Sequence, residues 1–413
     1  MIKKLIESLN PLYQPFLEKK YEIYLVGGAV RDLLLGNIPK DFDFTTNAPP
    51  ETVQKLFRRT IPTGLKHGTI TVMLGSVGYE VTTFRTDGEY EGHRKPKDVV
   101  YTPSIEEDLK RRDFTINGLA LSLPAGEIID FHQGISDLEN RIIKSIGNPA
   151  KRFQEDALRI LRACRFAAKL GFHIESATWT AMKEMSSDIS FLSRERVHDE
   201  LNKTVNSPRP GYGWELLRKS EILPQLKLKL PGETFKPGDL ESLLNNHVQL
   251  LLPSRWAILL LFYCDQPETW LKALTFSNYE IKEILQRVNL VKHLINSKFP
   301  VNPGEMVFIW GDRDWKDAGE FILTLMEAGY FKTQKITSTT DFESWKKKAD
   351  SSEPVFIKDL ALQGVEIMAY LNKSGGPWLG ELLEELQRTV WLNPEINTKD
   401  LLKELIGKIN IKP

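Results

Sequence analysis

Residues Tyr24 to Thr46 read YLVGGAVRDLLLGNIPKDFDFTT, and few folds can accommodate that order. A strand from Glu22 to Val26 runs into Gly27-Gly28, and a short helical pattern follows (Ala29, Val30, Leu33, Leu34), closing at Gly36. Beyond a turn at Pro39, a second strand over Asp41–Thr45 sets Asp41 and Asp43 two residues apart. Side chains at i and i+2 of a strand share a face, so the two carboxylates are expected side by side, with Phe42 and Phe44 turned away. Paired carboxylates suit Mg²⁺, a hard cation that takes oxygen ligands and shares its shell with substrate phosphates. Paired glycines ahead of a helix let backbone N–H groups come close to a phosphate. The stretch points to metal-dependent chemistry on a nucleoside triphosphate.

Around it, the chain changes texture near residue 148. Before that point, short β-rich runs (Tyr21–Val26, Thr69–Leu74, Tyr79–Phe84, Ala120–Leu123, Glu127–Phe131) alternate with helical patterns at Pro50–Arg59 and Ser104–Arg112. Alternation of this kind predicts a sheet covered by helices. After it, helical patterns dominate, beginning with Ala150–Leu170, which ends at Gly171 as a C′ glycine would end it. Later patterns include Ser193–Val205, Tyr212–Lys219, Leu240–Leu252, Ser254–Cys264, Tyr279–Ser297, Ala318–Ala328, Val365–Leu371 and Leu379–Val390. The expectation is an α+β head followed by an all-α remainder. At 413 residues, more than one domain is expected.

Several classes are set aside. The apolar run Trp256–Cys264 falls far short of the ~20 residues that span a bilayer. Glu7 interrupts an N-terminus already too short to read as a signal peptide. Cys164 and Cys264 are the only two cysteines, too few for a disulfide framework or a cysteine zinc site. A cytoplasmic protein with no membrane and no protein partner implied is expected. Acidic and basic residues balance at 55 each, which neither argues for a polyanionic partner nor against one, because binding faces are local.

Further candidates each carry two readings. Glu80, on YEVTTF, is either a third carboxylate for the same site or an exposed strand residue. Arg31 and Asp32 either meet phosphate and sugar or form a local helix ion pair. The segment Arg85–Pro103 contains Arg85 and Arg94 and is a functional loop beside the sheet or a surface excursion. In KRRDFTIN, the apolar sequence that follows should draw Arg112, Asp113 and Asn117 inward, where buried polar groups need partners such as a ribose or a triphosphate.

The helix RFQEDALRILRACRFAAKLG repeats Asp156, Arg159, Arg162 and Arg165 every three residues, so the four sweep across one face. Asp156 with Arg159 offers an acceptor carboxylate beside a donor guanidinium. Cytosine and adenine both present an amino donor beside a ring-nitrogen acceptor, and uracil and guanine present the reverse. The pair is complementary to C and A and leaves unpaired polar groups against U and G. The competing reading is a helix laced with salt bridges.

Taken in this order, the pieces resemble the bacterial class II CCA-adding enzymes, within the tRNA nucleotidyltransferase and poly(A) polymerase family of polymerase-β-like nucleotidyltransferases. Gly27 to Asp43 resembles the first family motif, Arg111–Asn117 the second, Gly134–Leu138 the third, Glu155–Arg162 the fourth and Arg194–Glu200 the fifth. The third departs locally, since DFHQG lacks the proline that often follows its first aspartate. The resemblance implies a nucleotidyltransferase head over 1–148, a helical neck for base recognition over 149–206, a helical body over 207–290 and a helical tail gripping tRNA over 291–413. It implies Mg²⁺ on Asp41 and Asp43 as the catalytic pair, and triphosphate contacts from Gly28 and Arg31. Arg112 would contact the nucleotide, Asp156 and Arg159 would read the base, and Arg162 and Arg165 would complete the pocket. CTP, ATP and tRNA are the implied partners, and CCA addition without a nucleic-acid template is the implied activity. The loop Arg85–Pro103 stands where the family has a flexible loop associated with the switch from C to A. Lys346, Lys347 and Lys348 are candidate phosphate contacts or solvated surface. The alternatives are an A-adding enzyme, a poly(A) polymerase, which commonly carries a basic C-terminal extension, and a non-catalytic RNA-binding protein.

Overall fold

The computed structural model describes residues 2–87, 99–228, 237–296 and 357–409, with a few positions between 317 and 330. Arg94, most of the Arg85–Pro103 loop, most of the Ala318–Ala328 pattern and Lys346–Lys348 lie outside the described residues. Two compact units make up the chain, Met1–Leu230 and Pro231–Pro413.

The first unit begins with α1 (Ile2–Ser8) and α2 (Asn10–Glu18), neither of which stands out in the sequence. Then come β1 (Ile23–Val26), α3 (Gly28–Leu34), β2 (Asp43–Thr46), α4 (Pro50–Leu56), β3 (Thr60–Gly64), β4 (Thr69–Leu74) and β5 (Val77–Thr83). A small two-stranded ribbon, β6 (Arg85–Asp87) with β7 (Val99–Tyr101), precedes α5 (Ile105–Lys110). β8 (Leu119–Ser122), β9 (Ile128–Asp130) and α6 (Gly134–Glu139) complete the head.

Seven strands form one sheet in the order β3-β4-β5-β2-β1-β8-β9. Only the β2–β5 pairing is parallel, so the sheet is mixed. The period of two sorts its faces. One lateral row, Val81-Phe44-Leu25-Leu121, faces α1 to α4 and is buried with Leu12, Phe16, Val30 and Val53 in the main core. The adjacent row, Glu80-Asp43-Val26-Ala120, faces the other way, where Leu109 of α5 covers only its Val26–Ala120 end. The carboxylates therefore stand on the uncovered part of that face. β3 is an edge strand that pattern reading passes over, because Pro62 and a largely exposed ladder leave no apolar alternation.

The helices that follow are α7 (Pro149–Glu155), α8 (Leu158–Leu170), α9 (Ser176–Glu184), α10 (Arg194–Val205), α11 (Pro210–Lys219) and α12 (Ile222–Gln225). α8 buries Ile160, Leu161, Ala163, Cys164, Ala167 and Ala168. α11 crosses it so closely that a Cβ on Gly213 would meet Ala168 Cβ at 2.7 Å and Thr204 Cγ2 at 2.6 Å. That packing keeps α11 with the first unit and puts the main division at Leu230, inside the segment 207–290.

The second unit contains α13 (Pro237–Asn246), α14 (Leu252–Tyr263), α15 (Pro267–Ala273), α16 (Asn278–Asn296), α17 (Gly364–Leu371), α18 (Pro377–Leu392) and α19 (Lys399–Lys408). Arg287, fully buried, ties α16 to α14 through Ser254 Oγ at 2.6 Å and to Asp317 at 3.1 Å. Leu360, Ile367, Leu382, Leu386, Leu402 and Ile406 form a separate core further along. Among the described residues no helix is long and apolar enough to cross a membrane.

Candidate active site

The carboxylate end starts at Asp43, which opens β2 opposite Val26 on one side and Glu80 on the other. Asp41 precedes the strand instead of lying in it, which corrects the expected strand Asp41–Thr45. By register its partner would be Gly28, but the chain has by then turned at Gly27 into α3, so there is no ladder for Asp41 to join. The two carboxylates still act on each other. Burial raises the Asp43 carboxyl above its usual value, the Arg112 guanidinium opposes this, and the Asp41 charge adds to it. Glu80 is raised by burial and then by Asp43 and Asp41.

Among the described residues no group of three or more His, Cys, Asp or Glu side chains is arranged to hold a metal ion. A carboxylate pair with Glu80 alongside, rather than a closed cage, fits a cation such as Mg²⁺ that keeps positions for water and substrate phosphate. Oxygen-only donors of like charge, crowded enough that Asp43 and Glu80 are raised in part by their neighbours, also suit a hard divalent ion.

Next to this end, Gly27 adopts φ +70°, and a Cβ there would come within 2.9 Å of Arg112 Nη1. Gly27 is thus the position that demands glycine, while Gly28 has ordinary clearance. Arg31, 2% exposed, donates from Nε and Nη2 to Asp32 Oδ1 and from Nη1 to Asn117 Oδ1 at 2.6 Å. The local ion pair is therefore formed, and Arg31 faces the cleft as well. Asn117 Nδ2 donates to Asp113 Oδ1 at 3.0 Å, and Asp113 Oδ2 accepts from Arg162 Nε at 2.7 Å. A continuous chain of contacts thus runs from α3 to α8. Beneath it, fully buried Asp108 anchors Arg111 and Arg112 at 2.9 and 3.5 Å. Burial alone would raise the Asp108 carboxyl, and the two guanidiniums more than offset it, holding it below its usual value.

Burial would raise Asp113 too, but the Arg162 charge and hydrogen bonds from Asn117, Arg162 and the Phe114 N–H bring its carboxyl down to about 2, from an ordinary 3.8. A value depressed by folding contributes stability that is present above the unfolded value and lost as pH falls through the folded one. Wild-type protein should therefore lose melting temperature more steeply than Asp113→Asn as pH falls from 3.8 toward about 2. Parallel acid limbs in the two melting curves would contradict this.

At the far end, the expected single helix Ala150–Leu170 is two helices broken at Asp156, whose backbone is extended (φ −150°, ψ 101°). Asp156 Oδ1 accepts from the Leu158 N–H at 3.1 Å, so the aspartate competes for backbone hydrogen bonds and starts α8 rather than continuing α7. Asp156 and Arg159 consequently do not pair. Asp156 Oδ2 is bound by Arg196 Nη2 at 2.7 Å. Arg159 Nη1 donates to Glu155 and to the Arg152 carbonyl, and its Nη2 donates to the Arg111 carbonyl. A carboxylate offers about four lone-pair sites and a guanidinium five N–H donors, so each keeps capacity for a further partner.

One cleft of about 460 Å³ gathers Gly28, Arg31, Asp43, Arg112, Asp113, Asn117, Asp156, Arg159, Arg162 and Arg165. Asp41 and Glu80 are not among its lining residues but are coupled to Asp43 through their charges, and Arg85 is directed to the His67 carbonyl instead.

Residues 23–144 match the family described as Poly A polymerase head domain, and 253–406 match tRNA nucleotidyltransferase domain 2. A further family of the polymerase A group matches 171–231. The CCA-adding enzyme of Staphylococcus epidermidis is 32% identical over 412 residues, spanning 98% of both chains. That of a Geobacillus species is 34% identical over 418 residues, spanning 99% of this chain and 98% of its own. This chain belongs to the CCA-adding enzyme family. The crystal structure of the Bacillus stearothermophilus CCA-adding enzyme in complex with CTP shares the fold at TM-score 0.72 and 30% identity, over 98% of this chain and 97% of that one. Membership in a nucleotidyltransferase family suggests dependence on a divalent metal.

Within that family frame, the cleft contains groups that sequence reading left out of the site: Arg111, Phe166, Lys169 and Arg196. Lys169 continues the spacing of Arg162 and Arg165 on α8 and could have been found from it. Arg196 sits in the RERVHDE segment, where a residue count gives no sign that it reaches Asp156, 40 positions earlier. Glu200 of the same segment holds Arg165 Nε at 2.6 Å. In the third motif, Asp130 accepts the Gly134 and Ile135 N–H groups, and Asp137 accepts from Thr115 Oγ1 at 2.7 Å. Those bonds brace the turn that presents Asn117.

Proposed function

We infer that this protein is a tRNA nucleotidyltransferase that adds C, C and A to tRNA 3′ ends from CTP and ATP, without a nucleic-acid template and with release of pyrophosphate. The observation that carries the reading is the single cleft joining Asp43, Arg31 and Arg112 of the head to Asp156 and Arg159 at the α7–α8 break. A carboxylate end and a base-reading end in one cavity of nucleotide size are what such a transfer needs.

Asp41 and Asp43 would hold Mg²⁺, which would supply activation of the primer 3′-hydroxyl and charge stabilisation for the leaving pyrophosphate. Gly28, Arg31 and Arg112 take the triphosphate, with Arg162 and Arg165 completing the pocket. Asp113 and Asn117 keep Arg31 and Arg162 in place. Asp156 accepts the amino group of C or A while Arg159 donates to the ring nitrogen. The protein's contribution is position and charge, not a covalent intermediate. On this reading the head is 1–148, the neck 149–206, the body 207–290 and the tail 291–413, the helical remainder gripping tRNA through its phosphates in the cytoplasm.

The direct test supplies tRNA ending one nucleotide before CCA, with CTP, ATP or both, with and without chelator. CTP alone should add only C, ATP alone nothing, and both together CCA. Chelator should stop all transfer and added Mg²⁺ restore it. Open-ended A addition from ATP alone would contradict the reading.

A further inference from the structure

Phe166 has no polar side-chain atom, yet three guanidiniums gather on its ring. Arg165 Cζ lies 4.0 Å from the ring centroid, and Arg31 and Arg162 each lie at 5.3 Å. All three are within the ~6 Å at which the negative face of an aromatic ring attracts a cation. The ring is itself fixed: it is 5% exposed and meets Phe114 edge-on at 5.8 Å and 79°.

Three like charges around one ring repel, and each has its own carboxylate to offset this. Arg31 pairs with Asp32 at 2.7 Å, Arg162 with Asp113 at 2.6 Å and Arg165 with Glu200 at 2.6 Å. Each guanidinium is thus held twice, by an anion and by the ring. The three arginines come from two elements, α3 and α8, and all three meet at the Phe166 ring.

We propose that Phe166 is a positioning residue, an aromatic hub that sets Arg31, Arg162 and Arg165 as a preformed seat for the polyanionic triphosphate of the incoming nucleotide. A leucine would fill similar volume without the charge distribution of the ring, so the arginines would lose their shared anchor. This rests on the nucleotidyltransferase reading of the same cleft.

The test replaces Phe166 with mono-, di- and trifluorophenylalanine in the full chain, which drains the ring of electron density while nearly keeping its shape. Readouts are KM and kcat for CTP, binding of inorganic tripolyphosphate and melting temperature. KM should rise stepwise with fluorine count, by about 3- to 30-fold across the series. Tripolyphosphate binding should weaken in parallel, with kcat held within about twofold, the signature of lost ground-state binding. Phe166→Leu should match the trifluoro variant, and if that variant fails to fold the fluorinated series still decides. Active wild-type enzyme with a KM unchanged across the series overturns the hub. Wild-type protein that transfers no nucleotide overturns the reading beneath it instead.

Discussion

Asp41→Ala should abolish nucleotide transfer, with a loss of about 10³-fold or more, while leaving fold and tRNA binding nearly intact. The size follows from the several kcal/mol that a positioned metal ion contributes to a transition state, each 1.4 kcal/mol being about tenfold. The selectivity follows from where Asp41 sits. It lies exposed on the turn before β2, outside the ladder, and makes none of the hydrogen bonds or ion pairs that hold the described residues together. Exposed substitutions away from such features usually change stability by no more than about 0.5 kcal/mol. Turnover, melting temperature and tRNA affinity measured on one preparation separate the two effects. Retained turnover would remove Asp41 from the metal site, and lost folding would mean that its role is structural.

How much of this was legible in the sequence depended on the range of each interaction. The order β1, Gly27-Gly28, α3, β2 was readable because a strand period, a glycine pair and an apolar helical spacing are local signals. The nearness of the two carboxylates was readable too, although the expected strand begins two residues too early, since only the register with Val26 shows where the ladder ends. The Asp156 break was hidden because apolar spacing runs through Phe153, Ala157 and Ile160 as if one helix continued. What overrides it is the extended backbone at Asp156, whose side chain accepts from the Leu158 N–H. The contacts that organise the cleft were out of reach, since Asp113 meets Arg162 across 49 residues and Arg165 meets Glu200 across 35. Phe166 reads as one more apolar residue on an amphipathic helix, and only tertiary packing brings Arg31 to its ring.

Base selection is the second large effect. Asp156→Ala should lower discrimination against UTP and GTP by about 10²-fold or more, because a site built to hydrogen-bond one edge rejects another by leaving polar groups unpaired. The same change removes the side-chain bond to the Leu158 N–H, a stability loss of about 1 kcal/mol, and releases Arg196 from its 2.7 Å partner. The fold should survive both losses, so altered selectivity is readable in folded protein.

Whether one cleft both transfers nucleotides and chooses them is read from product mass. Wild-type protein and Asp156→Ala are each given tRNA ending one nucleotide before CCA, with all four nucleoside triphosphates at equal concentration. The predicted wild-type product is heavier by two C and one A and no more, while the variant admits U and G. Wild-type product of mixed sequence, or a variant product identical to a C-C-A wild type, would contradict the claim.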